Sequence, residues 1–125
     1  MGYWASDREA VVTAIIKGGP KAQRTPTRFS PDSKFQEENI SNIYQRSGRR
    51  HTYLGDWHTH PGGELALSFT DKSTLHVISR TPEARARKPI MLIVAGDGSW
   101  MAGAWQWHPS KVFWRRLKVC EIVFY

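Results

Sequence analysis

Residues 56–71 of the chain read Asp-Trp-His-Thr-His-Pro-Gly-Gly-Glu-Leu-Ala-Leu-Ser-Phe-Thr-Asp. The stretch overlaps a run of apolar and aromatic residues, 52–57, that favours a β-strand. In a strand, residues two apart point to the same face, so His58 and His60 bring two imidazoles to one point. Pro61 and the two glycines after it predict a break in the strand and a reversal of the chain.

The reversal leads into a predicted helix that begins next to the histidines. Ser68 is a typical N-cap residue, and Asp71 lies where a capping box places its carboxylate. That carboxylate is therefore expected beside the strand end that carries His58 and His60. Two imidazoles and one carboxylate can hold a zinc ion with a fourth position left for water, which is the catalytic arrangement. The chain has one cysteine, so a closed thiolate site is excluded.

Each half of this pattern also has an ordinary structural explanation. Two histidines in His-x-His spacing are common without any metal. Ser-x-x-Asp is explained by a helix cap without any chemistry. The ordered combination of His-x-His-Pro, six residues, Ser, two residues and Asp is far more specific than either half. We therefore interpret the whole stretch as a divalent-metal site.

The same residues carry a resemblance to a known family. His58, His60, Pro61, Ser68 and Asp71 match the JAMM motif of the JAB/MPN metallopeptidases. The resemblance implies that the two histidines and the aspartate are Zn²⁺ ligands. It also implies that Ser68 is catalytic, because the serine of this motif hydrogen-bonds the metal-bound water or the tetrahedral oxyanion.

Stretches on both sides of the motif point to one subgroup of this family. Residues 26–29, 34–45 and 53–63 resemble the small bacterial JAB proteins of anti-phage CBASS operons and mobile elements, and the similarity extends to about Trp107. The resemblance implies a JAB/MPN, cytidine-deaminase-like fold. It also implies a metallopeptidase or isopeptidase that acts on a protein conjugate, either ubiquitin-like or joined through a cyclase tail, made by an E1/E2-like system.

One catalytic residue of the family has no counterpart in this chain. Family members carry a glutamate on the first strand, ahead of a Gly-Gly-x-Leu-x-Gly stretch, and it serves as general acid/base. Residues 1–4 resemble the end of that stretch, so the glutamate would precede Met1 and the first strand is expected to be truncated. Glu64 and Glu9 are the candidates to replace it. Without a replacement the chain is a catalytically impaired JAB-domain binding module, and a RadC-like, DNA-associated protein is a further alternative.

The composition predicts one domain in solution. The chain has 125 residues, of which 40% are hydrophobic and 23% charged, and this length suits one core. No apolar run is long enough to cross a membrane, and the start lacks a signal-peptide pattern. We expect a single JAB/MPN domain over residues 1–125, in the cytoplasm and without a membrane partner. The net charge of +7 lies in short clusters, which favours a solvated surface or an acidic protein partner over nucleic acid.

The rest of the sequence predicts a mixed β-sheet flanked by helices, which is an α/β fold. The first predicted elements are a strand over 9–16 and a helix that ends at about residue 45. This helix has Ser30 as its N-cap and Pro31 at the first helical position. The strand with the histidines, a helix over 69–80, and strands over 89–95 and 100–107 around a turn at 96–98 follow. The strand over 89–95 is a continuous apolar run, so both of its faces are expected to be buried.

Several further side chains are assigned structural roles. Trp105 and Trp107 share one face of a strand, and core packing is favoured over a surface that stacks bases or grips a peptide. Trp114 and Phe124 are expected to anchor the tail. Cys120 is interpreted as a small hydrophobic residue in a strand. Structural roles are also assigned to the three histidines outside the motif, His51, His76 and His108.

Overall fold

The structure is a computed structural model that describes residues 1–25, 28–112 and 116–124. The chain divides into two compact units, Met1–Tyr53 and Leu54–Tyr125. A single domain over residues 1–125 stays a prediction. In the described part of the chain, no helix has the length and apolar content needed to cross a membrane.

The first unit contains short strands and one helix. Its elements are β1 (Gly2–Trp4), β2 (Ala10–Val12), β3 (Gln23–Arg24), β4 (Phe29–Ser30) and α1 (Ser33–Arg46). β1 pairs with β2, and β3 pairs with β4, both antiparallel. The strand predicted over 9–16 is wrong beyond Val12. There the amides of Thr13 and Ala14 both donate to the Met1 carbonyl, at 3.0 and 3.3 Å, which ends the ladder.

Helix α1 begins later than predicted. The expected N-cap Ser30 lies in β4, and Pro31 precedes the helix instead of opening it. Asp32 caps the helix, because its Oδ1 accepts a hydrogen bond from the Phe35 N–H at 3.2 Å. An aspartate caps as well as a serine and adds a negative charge at the positive end of the helix dipole. Asp32 also accepts from the Lys21 N–H at 3.3 Å, which ties the preceding loop to the cap.

The second unit is a four-stranded sheet with a helix. Its elements are β5 (Gly55–Pro61), α2 (Phe69–Arg80), a short 3₁₀ helix (Pro82–Ala84), β6 (Ile90–Asp97), β7 (Ser99–Trp107) and β8 (Leu117–Cys120). The strand order is β5-β6-β7-β8, with β5 and β6 parallel and the other neighbours antiparallel. A parallel pair needs a crossover connection, and α2 lies within it. The predicted mixed α/β class is confirmed.

The core of this unit lies between the sheet and α2. Its buried members are Leu75 of α2, Met91, Ile93 and Ala95 of β6, and Trp107 of β7, with Trp105 packed against them. The core role predicted for the two tryptophans is therefore confirmed. Burial along β6 alternates, so that Ile90, Leu92 and Val94 are only partly buried. The prediction that both faces of this strand are buried is thus wrong, since α2 packs on the face that carries Met91.

The end of the chain differs from its prediction. Phe124 is 81% exposed and therefore anchors nothing. The strand β8 ends at Cys120, and residues 121–124 follow outside any strand. Trp114 lies outside the described residues. Cys120 is half-buried at the strand end, and burial raises the pKa of its thiol, as expected for a small hydrophobic residue in a strand.

Candidate metal centre

Strand β5 presents both histidines to the face of the sheet that packs against α2. His58 is paired in register with Ile93, and His60 with Ala95. Residues in register on neighbouring strands share a face, and Ile93 and Ala95 belong to the core under α2. The strand begins at Gly55 rather than at residue 52 and continues through Pro61, so the histidines lie within it.

Helix α2 brings the carboxylate to the same place. Ser68 is the N-cap, and its Oγ accepts from the Asp71 N–H at 3.1 Å. In return, Asp71 Oδ2 accepts from the Ser68 N–H at 2.7 Å. The predicted capping box is confirmed. Because the backbone holds Oδ2, the second oxygen, Oδ1, lies 3.3 Å from His58 Nε2.

The three side chains form a compact group of donor atoms. His58 Nε2 and His60 Nε2 lie 2.9 Å apart, and one atom from each of the three residues lies within 4.8 Å of the others. A tetrahedral zinc ion with bonds of about 2.0–2.1 Å separates its ligand atoms by about 3.3 Å. The distances of 2.9 and 3.3 Å lie close to that value. The donor set therefore fits a divalent metal with two imidazoles and one carboxylate.

The loop after β5 fixes the chemical form of His60. His60 Nδ1 lies 2.9 Å from the Glu64 carbonyl oxygen, which can only accept. Nδ1 is therefore the donor in this bond, and in the neutral ring Nε2 is left with a lone pair toward His58 and Asp71. This contact involves the backbone carbonyl of Glu64 and is separate from the role predicted for its carboxylate.

Glycine makes this loop possible. Gly62 has φ of 65°, a left-handed conformation that other residues adopt at a cost. Its N–H donates to the Gly96 carbonyl at 2.9 Å, and the Gly63 N–H donates to the His60 carbonyl at 3.1 Å. The first bond extends the pairing of β5 with β6, and the second closes the turn that brings the Glu64 carbonyl to the His60 ring. The glycine pair in the sequence was the signal for this turn.

Comparison with known proteins identifies the fold family. The sequence profile of Prok-JAB, described as prokaryotic homologs of the JAB domain, matches residues 2–115. This chain belongs to the prokaryotic JAB family. The resemblance drawn from the JAMM motif is thereby confirmed.

Individual relatives carry names of hydrolases. A protein of Sinorhizobium fredii named probable metalloprotease y4qB is 45% identical over 107 residues, which are 84% of this chain and 65% of that protein. A protein of Escherichia coli named CD-NTase/cGAS isopeptidase is 32% identical over 92 residues, 73% of this chain and 56% of that protein. A Vibrio cholerae protein of the same name is 32% identical over 62 residues, 50% of this chain and 40% of that protein. The JAB chain thus spans less than two thirds of the length of each.

Burial favours the form of His58 that can bind a metal. Desolvation lowers the pKa of His58, and the neighbouring Asp71 carboxylate acts in the opposite direction. The burial contribution is the larger of the two. A ligand imidazole must be neutral, because a proton on the nitrogen blocks the lone pair. The environment of His58 therefore keeps the ligand form present at neutral pH.

Ser68 is an exposed residue and forms the capping box with Asp71. Its Oγ accepts one hydrogen bond in the cap, and a hydroxyl group that accepts in this way still has its O–H to donate. A catalytic role for Ser68 stays a prediction. Replacement of the general acid/base by Glu64 or Glu9 also stays a prediction.

The remaining histidines have structural partners. His76 packs on Trp107, with ring centroids 5.3 Å apart. His51 Nδ1 is hydrogen-bonded to Thr13 Oγ1 at 3.1 Å, and the His51 ring stacks on Tyr3. His108 is hydrogen-bonded to Gln106. Among the residues that the structure describes, none of these three joins the metal-ligand cluster.

Proposed function

We propose that this chain is a zinc-dependent hydrolase of the JAB family that cleaves a peptide or isopeptide bond. The observation that carries the proposal is the cluster of His58, His60 and Asp71, whose donor atoms lie within 4.8 Å of one another. Three ligands without a cysteine are typical of catalytic rather than structural zinc. Membership in the JAB family and the names metalloprotease and isopeptidase among its relatives support the same reaction class.

In this proposal the chain's own residues hold the metal and prepare its ligands. His58, His60 and Asp71 would bind the ion, with Glu64 orienting one imidazole through its carbonyl. When bound, Zn²⁺ acts as a Lewis acid that polarises a carbonyl and lowers the pKa of water to about 7. The burial that keeps His58 neutral serves metal binding in the same pH range.

Ser68 is suited to stabilise negative charge. The cap bonds with Asp71 fix its position next to a metal ligand, and its O–H can donate to an oxyanion. It also stands at the N-terminus of α2, where the helix dipole favours negative charge. Loss of one donor of this kind costs about 10²–10³ in rate in hydrolases that depend on it.

Proton transfer to the leaving amine needs a general acid/base. Glu64 is exposed and lies in the same unit as the ligands, four residues from His60. Its carboxylate is one candidate, and Glu9 of the first unit is the other. Substitution of each glutamate by glutamine, with metal content measured alongside, distinguishes loss of proton transfer from loss of the metal.

The proposed substrate is a protein conjugate. Relatives of the chain bear the name CD-NTase/cGAS isopeptidase, and we infer that this chain also acts on an isopeptide or tail linkage to a protein. A ubiquitin-like or cyclase conjugate, an E1/E2-like system that makes it and a cytoplasmic location belong to the same proposal.

The test is hydrolysis of a defined isopeptide. The purified chain is loaded with one equivalent of zinc and given a fluorogenic peptide tail joined to a lysine side chain. We expect release of the tail by the wild type and none by His60→Ala, which loses a ligand. Equal release by both would contradict the proposal. Zinc binding without release from any linkage tested would leave a metal-stabilised binding module as the function.

A further inference from the structure

A concave site lies at the end of α2 opposite Asp71. A cavity of about 360 Å³ is lined by Arg80, Arg85 and Arg87, among others. Asp71 and Arg80 are nine residues apart on one helix, which is about 14 Å at 1.5 Å per residue. The cavity is therefore separate from the metal centre. Its volume falls in the range of about 300–1,000 Å³ that is typical of small-molecule sites.

Among the residues that the structure describes, no acidic side chain forms an ion pair with the three arginines of this cavity. Lys34–Glu38 and His58–Asp71 form ion pairs in the described part of the chain, and neither pair involves these arginines. Glu83 lies between Arg80 and Arg85 in the sequence and pairs with neither of them. Three arginines line this one cavity, and an anion bound there would offset their combined positive charge.

The C-terminus of α2 opposes an anion, but weakly. A helix C-terminus carries about half a negative charge, largely on its free carbonyls. Here Ser79 Oγ donates to the His76 carbonyl at 2.7 Å, and Thr81 Oγ1 donates to the Val77 carbonyl at 2.9 Å. The half charge is thus partly compensated, and three full positive charges outweigh it. The same two bonds use the hydroxyl protons of Ser79 and Thr81, so the guanidinium groups must supply the donors for a ligand.

We propose that this cavity, the arginine pocket, binds the phosphate groups of a small phosphorylated molecule. Guanidinium groups present a planar fork of donors that matches phosphate oxygens, and these charge-assisted bonds are stronger than neutral ones. Three arginines match the multiple charges of a diphosphate better than the single charge of a carboxylate. A cavity of about 360 Å³ suits a ligand of nucleotide size.

The backbone at Arg85 allows a clean test. Arg85 has φ of 51°, in the left-handed region, where glycine is free of the strain that other residues bear. Its N–H donates to the Pro82 carbonyl at 3.1 Å, a bond that glycine can also make. Arg85→Gly therefore removes a guanidinium without disturbing the fold.

A matched control exists in the first unit. Arg49 has φ of 66° and is exposed. Its N–H donates to the Tyr44 carbonyl at 2.8 Å, so its backbone is held much as that of Arg85 is. Arg49→Gly lowers the net charge by the same one unit and relieves the same backbone strain, but leaves the arginine pocket intact. A difference in ligand binding between the two variants is therefore due to the arginine pocket and not to a change in net charge or stability.

The experiment is calorimetric titration of the full chain with pyrophosphate and with ATP, and with a single-stranded oligonucleotide and an acidic peptide as other anions. We expect pyrophosphate and ATP to bind. Arg85→Gly should weaken their binding about tenfold or more, from loss of charge-assisted bonds, while Arg49→Gly should leave it within about twofold. His60→Ala should bind them as the wild type does, so failure of the hydrolase proposal would not affect this result.

Several outcomes would overturn the proposal. One is absence of pyrophosphate and ATP binding at millimolar concentration. Another is equal weakening by Arg85→Gly and Arg49→Gly, which would indicate a general effect of charge. Loss of binding in His60→Ala would place the phosphate at the metal centre instead. Arg85-dependent binding of the oligonucleotide or the peptide that exceeds that of pyrophosphate and ATP would assign the pocket to a polymer.

Discussion

Ser68 and Asp71 hold each other through two reciprocal hydrogen bonds, with the Ser68 N–H donating to Asp71 Oδ2 at 2.7 Å and the Asp71 N–H donating to Ser68 Oγ at 3.1 Å. The same carboxylate presents Oδ1 to His58 at 3.3 Å. One aspartate thus takes part in the helix cap and in the cluster of candidate metal ligands. The cap fixes the carboxylate before any metal arrives, so little conformational entropy is lost at this ligand on binding.

Asp71→Asn should separate these two roles. An asparagine oxygen can still accept the Ser68 N–H, so the helix should form, but an amide group would then face His58 in place of Oδ1. We expect an unchanged far-ultraviolet circular dichroism spectrum and a loss of zinc affinity of at least tenfold. Asp97→Asn, at an exposed residue at the end of β6, is the control and should bind zinc normally. Wild-type affinity in Asp71→Asn would exclude this carboxylate as a ligand.

Ser68→Ala should keep the metal and lose the reaction. The substitution removes the Oγ that accepts from the Asp71 N–H, which should cost about 1 kcal/mol of the free energy of unfolding. The Ser68 N–H still holds Oδ2 of the carboxylate. We expect one zinc per chain and a decrease of about 10² in kcat for isopeptide cleavage. Ser68→Thr, which keeps a hydroxyl, should recover stability, and an Ala variant with wild-type kcat would remove Ser68 from the mechanism.

Gly62→Ala should weaken metal binding by disturbing the contact between the Glu64 carbonyl and His60. Alanine at φ of 65° is strained by about 1 kcal/mol, and relaxation of the turn would move the Glu64 carbonyl away from His60. Gly98 offers a matched control, since it has φ of 81° and equally open surroundings but lies in the β6–β7 turn. Both variants should lose similar stability in urea, and Gly62→Ala alone should lose zinc affinity. Equal affinity in both would show that the carbonyl does not orient His60.

The stability of the metal-free protein should fall on acidification. Burial lowers the pKa of His58 in the folded state below its unfolded value of about 6.5. The unfolded chain therefore binds the proton more readily, so the contribution of His58 to stability is present above pH 6.5 and decreases as the pH falls below it. We expect the urea midpoint to decrease between pH 7.5 and 5.5, and to decrease less in His58→Gln. An identical decrease in that variant would assign the effect to other groups.

The candidate metal site could be predicted from the sequence because its determinants are local. The two-residue period of a strand places His58 beside His60, and a helix cap places Asp71 beside Ser68. Glycine and proline between them indicate that the chain reverses. Each of these rules involves residues close in sequence, and the structure brings His58, His60 and Asp71 together, while their role as metal ligands stays a prediction.

The features that the sequence did not predict depend on competition between nearby residues or on how elements pack in the fold. Ser30 and Asp32 are both good caps, and the choice between them depends on which one reaches the Phe35 amide. The partial burial of Ile90 and Val94 depends on which face of β6 the helix covers, which the apolar run does not reveal. The contact between the Glu64 carbonyl and His60 has no motif, because every residue has a backbone carbonyl. Arg80, Arg85 and Arg87 are close in sequence, but the sequence does not reveal that they line one cavity.

The zinc content of the wild type and of His60→Ala tests whether the cluster of His58, His60 and Asp71 binds the metal. Each protein is purified, stripped with a chelator, incubated with one equivalent of zinc, desalted and measured by plasma mass spectrometry, with His76→Ala as a control for the loss of a histidine. We expect about one zinc per chain in the wild type and in His76→Ala, and a content near zero in His60→Ala. Equal zinc content in His60→Ala and the wild type would contradict this expectation.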